Sequence, residues 1–107
     1  MTETDFGLSE NHRRVISDIF SKYPDVTHVF VYGSRAKGTN CPGSDIDMTI
    51  TGGNTVSSDI LFKLISDFDE SPLPFSVDLS IFARLTNPNL IEHIQRVGKI
   101  IYRRKQE

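Results

Sequence analysis

Hydrophobic positions recur along this chain in two rhythms. Over residues 8–23, Leu8, Val15, Ile16, Ile19, Phe20 and Tyr23 fall at helical spacing behind Ser9, a residue type that caps helix starts, and Pro24 closes the run. A second helical stretch puts Ile60, Leu61, Leu64, Ile65 and Phe68 on one face; Ser57 or Ser58 can cap it, and Ser71-Pro72-Leu73-Pro74 ends it in extended backbone. Asn87-Pro88 caps and starts a third, with Leu90, Ile91, Ile94 and Val97 inward and Gly98 as its stop. Between these helices lie shorter runs. Residues 26–32 include the apolar Val29-Phe30-Val31-Tyr32 of a buried strand; Ile46, Met48 and Ile50 alternate with polar residues; so do Phe75, Val77, Leu79 and Ile81; and Ile100-Ile101-Tyr102 predicts a short last strand. Helices alternating with strands predict an α/β (α+β) domain, a mixed sheet with helices packed largely on one face.

The alternation is most informative where the polar partner is an acid. In Asp45-Ile46-Asp47-Met48-Thr49-Ile50 the period of two places Asp45 and Asp47 on the face opposite Ile46, Met48 and Ile50. Carboxylates this close repel by roughly 3 to 4 kcal/mol at about 4 to 5 Å and an effective dielectric near 20. A basic side chain, open water or a divalent cation must offset that. Asp78, flanked by Val77 and Leu79, presents a third acid from another half-buried strand. Ahead of the first pair, Gly33-Ser34 ends a strand with residues suited to a sharp turn and a helix start, where a phosphate can sit. Magnesium favours one or two carboxylates completed by phosphates and water, so the acids and the turn suit one ligand. The alternative is three solvated surface acids.

Composition narrows the partners. The chain has 107 residues, 37% hydrophobic and 24% charged, with a net charge of −2. One domain spanning residues 1–107 fits that length, and the charge gives no general attraction to nucleic acid or an anionic membrane. The polar, acidic residues 1–7 do not resemble a signal peptide and no run is long enough to span a bilayer, so a cytoplasmic protein is expected. Cys41, the single cysteine, is read as a small loop residue, and His12, His28 and His93 as solvated side chains without metal-ligand spacing.

Competing motifs fail. Residues 33–39 lack the Gly-Lys-Ser/Thr ending of a P-loop, and no dinucleotide fingerprint follows the first strand. A calcium loop opening at Asp45 would need a carboxylate at its twelfth position, which is Val56. No Ser-His-Asp or Cys-His pattern supports nucleophilic hydrolysis.

Gly33-Ser34, then ten residues, then Asp45-Ile46-Asp47, and later Val77-Asp78-Leu79 resemble, in order and residue type, the signature of the minimal nucleotidyltransferases of the DNA polymerase β-like superfamily. The resemblance implies that fold, with Gly33 and Ser34 holding the nucleotide's terminal phosphates. It implies that Asp45 and Asp47 bind magnesium, two ions in all or manganese in their place, and that Asp78 completes the metal site facing the acceptor hydroxyl. Arg35 and Lys37 sit two apart, so at most one is expected to reach the triphosphate. ATP as the substrate follows from the family alone.

Stand-alone members of this size are commonly encoded beside a helical HEPN protein. In some of these pairs, which look like toxin and antitoxin, AMP is transferred to a tyrosine of the HEPN ribonuclease. The resemblance therefore implies an AMP-transferring antitoxin in a hetero-oligomer with a HEPN-type partner. Two alternatives stay open: the catalytic subunit of a two-chain small-molecule nucleotidyltransferase, and an antitoxin that acts by binding alone.

Overall fold

The structure, a computed structural model, describes residues 8–33, 45–51 and 56–104. Its elements run α1 (Glu10–Ser21), β1 (His28–Tyr32), β2 (Ile46–Thr51), α2 (Ser58–Asp69), β3 (Val77–Ile81), a single 3-10 turn (Phe82–Arg84), α3 (Pro88–Val97) and β4 (Lys99–Arg103). The helix starts are where the sequence puts them. Ser9 accepts from the backbone N–H of His12 at 3.1 Å, Ser57 from that of Ile60 at 3.3 Å, and Asn87 from those of Asn89 and Leu90 at 2.9 and 3.3 Å. Each satisfies donors that a helix leaves without intrahelical partners. Pro88 opens α3 and Gly98 closes it, its N–H donating to the carbonyl of Ile94.

The four strands form one sheet in the order β3-β2-β1-β4. β1 pairs antiparallel with β2 and with β4, whereas β2 and β3 are parallel, so the sheet is mixed as expected. A bulge in β4 shifts the register between the partners of Val29 and Phe30.

One face carries the core. Val29, Val31, Ile46, Met48, Ile50, Leu79 and Ile81 point into it and meet Ile16, Ile19 and Phe20 of α1 and Leu64 and Phe68 of α2. The Phe20 ring meets that of Phe68 edge to face at 5.3 Å and that of Tyr102 at a tilt at 5.4 Å. At the rim, the Tyr23 hydroxyl donates to Asp67 at 2.6 Å and ties the end of α1 to α2; this hydrogen bond is the main reason the Tyr23 phenol is pushed up to about 12.

Helix α3 is the exception to the one-sided arrangement. It approaches β1 from the opposite face, burying Ile94 there, while Leu90, Ile91 and Val97 are half-buried rather than inward. His12 also departs from expectation: it is not solvated but half-buried, its ring edge-on to Phe75 at 5.5 Å and 87°, and its Nδ1 is buried with no hydrogen-bond partner among the described residues. The helix cap at Ser9 sets His12 on the turn that meets the segment entering β3.

Candidate active site

The strand register collects the acids. Asp47 of β2 lies directly opposite Asp78 of the parallel strand β3 and directly opposite Tyr32 of the antiparallel strand β1. Neighbouring strands are about 4.8 Å apart, so Tyr32, Asp47 and Asp78 form a row across three strands. Asp45 is exposed and stands one residue before β2, where the N–H of the next residue, Ile46, donates to the carbonyl of Ser76 at 3.0 Å. Asp78 is exposed and Asp47 half-buried.

Burial is the first cause that raises the Asp47 carboxyl above the usual carboxylate range, and the charges of Asp78 and then Asp45 add to it; His93 pulls the other way. The crowding inferred from the alternating acids is therefore present, and it is sharpened by partial removal from water. The Tyr32 phenol is raised too, by burial first and then by Asp78 and Asp47, against the opposing influence of the nearby Ser80 hydroxyl.

Gly33 follows Tyr32 with φ of +80°, a left-handed conformation that a side chain would strain. A Cβ at this position would stand 2.6 Å from Oδ2 of Asp47. The glycine thus has two reasons to be there: the turn requires its backbone freedom, and the Asp47 carboxylate occupies the space that a side chain would take. Ser34, Arg35, Lys37 and Cys41 lie outside the described residues.

Beneath the acids the face is polar and closed. Thr49 is fully buried; its hydroxyl accepts from Ser80 Oγ at 3.0 Å and donates to the Ser80 carbonyl at 3.5 Å, linking β2 to β3 one step below Asp47 and Asp78. From above, α3 brings His93, whose ring meets that of Tyr32 edge to face at 6.3 Å and 83°. Its position corrects the expectation of a solvated histidine. The signal was present in the sequence, because His93 falls three residues after Leu90 and four before Val97 and so shares their stripe. Farther along this face Phe30, Thr51, Phe82, Ile94, Gln95 and Gly98 line a shallow, mainly apolar hollow.

Among the described residues, no three carboxylate, imidazole or thiol side chains converge closely enough to hold a metal on their own. The oxygen donors present suit magnesium nonetheless, since that ion is ordinarily completed by substrate phosphates and water rather than by a full protein cage.

With this geometry in view, the sequence matches the family model described as polymerase beta, nucleotidyltransferase, over residues 14–107. The chain belongs to the polymerase β nucleotidyltransferase family. No curated protein matches it. Among solved structures, it is similar to a toxin-antitoxin with AMP-PNP, at 21% identity and TM-score 0.69 over 87% of this chain and 74% of that one. It is similar to a mutant of the toxin-antitoxin MntA-HpeT, at 26% identity and TM-score 0.63 over 87% and 71%. A third similar structure is the toxin-antitoxin MntA-HepT, at 18% identity and TM-score 0.58 over 90% and 74%. The polymerase β-like fold read from the sequence is therefore the fold of this nucleotidyltransferase domain. Among the described residues no helix is long and apolar enough to cross a membrane.

Proposed function

We propose that this nucleotidyltransferase transfers AMP from ATP to a tyrosine hydroxyl of a HEPN-type toxin and so acts in the cytoplasm as an antitoxin. The observation that carries the reading is the placement of Asp47 beside Asp78 on a face whose Gly33 turn packs against the Asp47 carboxylate. Similarity to toxin-antitoxin structures, one of them with AMP-PNP, supports the choice of partner and nucleotide.

In the reaction, the acceptor oxygen bonds to the α-phosphorus of ATP, the bridging bond to the β-phosphate breaks, and pyrophosphate departs. Asp45, Asp47 and Asp78 would hold magnesium. Bound there, the metal supplies charge neutralisation and alignment of the phosphate oxygens. Asp78 is exposed on the edge strand β3; it would face an incoming acceptor and receive the proton released by the attacking hydroxyl. Gly33 and Ser34 would seat the terminal phosphates, with Arg35 or Lys37 as a further cationic contact. Burial and the neighbouring acids oppose ionisation of Asp47, and a divalent cation held there would relieve that cost.

The test combines this chain, a HEPN-type partner and ATP labelled at the α-phosphate. The partner should gain label on tyrosine, and Asp78→Asn should remove it. An unmodified partner that is nevertheless inhibited, with inhibition surviving loss of all three acids, would establish the binding-only alternative.

A further inference from the structure

We infer that His93 is a positioning residue for the acid pair: its ring holds Tyr32 against Asp47 and thereby fixes the place of Asp47 relative to Asp78. The inference rests on the reading of these acids as metal ligands and adds a residue to that site.

Tyr32 is the last residue of β1 and makes the final pair of the β1–β2 ladder, directly across from Asp47. The chain leaves the sheet at once through Gly33, so no following ladder pair restrains the tyrosine from that side. The residue is nevertheless buried, with 8% exposed; its backbone flanks Asp47 on the side away from Asp78, while its hydroxyl reaches toward Ser80 on β3. Whatever fixes this ring also fixes one wall of the Asp47 carboxylate. Among the described residues, the Tyr32 hydroxyl lies near that of Ser80 on β3, and from above His93 meets the Tyr32 ring edge to face at 6.3 Å and 83°. Such a pairing selects one orientation of a ring that could otherwise swing about its first torsion.

His93 is itself well placed to be rigid. Its neighbour Ile94 is 4% exposed and anchors α3 on the same face, whereas His93 is half-buried and contributes no comparable apolar area. Removing the His93 ring therefore leaves the anchor of α3 intact and Tyr32 held at its hydroxyl by Ser80, but without the edge-to-face contact that sets the ring's orientation. The Asp47 carboxylate, against which Gly33 stands, then has a less firmly held second neighbour in Tyr32, on the same side. A metal bound by one or two carboxylates is sensitive to that loosening, because each ligand must be held in place before the ion arrives.

Calorimetric titration of the preformed Mn2+–ATP complex into the chain tests this, with ATP in EDTA as the reference and thermal unfolding of each variant alongside. The wild type should bind Mn2+–ATP more tightly than ATP in EDTA, and Asp47→Asn should not. His93→Ala should weaken Mn2+–ATP binding about three- to tenfold, the worth of one aromatic pairing, with Tm held within about 3 °C. His93→Phe restores a ring edge without an N–H donor and should recover affinity to within about twofold of the wild type. Unchanged affinity in His93→Ala overturns the inference. So does a His93→Phe variant as weak as His93→Ala, which would make the imidazole nitrogens the agent, and so does a large fall in Tm for His93→Ala, which would make the residue structural. If the wild type gains nothing from Mn2+, or Asp47→Asn gains as much, the assignment of the acids as ligands is what fails.

Discussion

The two faces of the sheet are built from the same strands and obey opposite rules. On the face under α1 and α2, Val29, Val31, Ile46, Met48, Ile50, Leu79 and Ile81 present only hydrocarbon or thioether and are buried among other apolar side chains. On the other face, the alternate residues of the same three strands include Tyr32, Asp47, Thr49, Asp78 and Ser80. The first arrangement lowers free energy by removing apolar surface from water. The second raises it, since burial and neighbouring anions both oppose ionisation of Asp47. A domain of this size tolerates the second face because the first supplies the stability, which separates the residues that fold the chain from those that act.

That separation can be broken most forcefully on the core side. Phe20 is fully buried between Phe68 and Tyr102. Phe20→Ala should cost about 3–5 kcal/mol, read as a lower midpoint in urea unfolding, by the loss of transfer energy and the cavity left behind. A cost below about 1 kcal/mol would mean that the core collapses around the gap.

An intermediate effect is expected where the two faces meet. Gly33→Val places a β-branched residue at φ of +80° and drives its Cβ into Asp47. It should lose about 1–3 kcal/mol of stability and, unlike a core substitution of equal cost, also lose nucleotide binding under conditions where the protein remains folded. Retained ATP affinity in the folded variant would free the turn from a role in the site.

The smallest effect has the opposite sign. Because the Asp47 carboxyl is raised in the folded protein, its ionisation works against folding: the stability attached to its protonated form is present below the unfolded pKa and is lost as pH rises through the folded value. Asp47→Asn should therefore raise Tm near neutral pH, by no more than a few degrees, and the gain should shrink as pH falls into and below the carboxylate range. A variant that is less stable at neutral pH would show that Asp47 has a structural partner.

The core face was legible in the sequence because its signals are local. Ser9, Ser57 and Asn87 cap helices through groups within three residues, and Ile46-Asp47-Met48 alternates regardless of what lies across the sheet. The acid pair was legible for the same reason, although its closeness to Asp78 needed the parallel register of β2 and β3. Tyr32 was concealed by the apolar run Val29-Phe30-Val31-Tyr32, in which aromatic residues on the outer face hide the period of two. His93 was concealed by topology: its stripe along α3 was visible, but not that α3 docks on the acidic face and not with the other helices. Thr49 reads as one more outward polar residue, and its burial, with its hydroxyl paired to Ser80 on the neighbouring strand, depends on the tertiary arrangement.

The proposed function requires that the acid row and the Gly33 turn bind one ligand together, a nucleotide with its metal. Calorimetric titration of ATP into the purified chain, with magnesium and then with EDTA, tests it without a partner or an acceptor. Binding should be present with magnesium and fall at least about tenfold in EDTA, where the triphosphate meets carboxylates with no cation between them; Asp47→Asn should lose the gain from magnesium and bind no worse than the wild type in EDTA. Equal affinity of the wild type for ATP with and without the metal would contradict the claim.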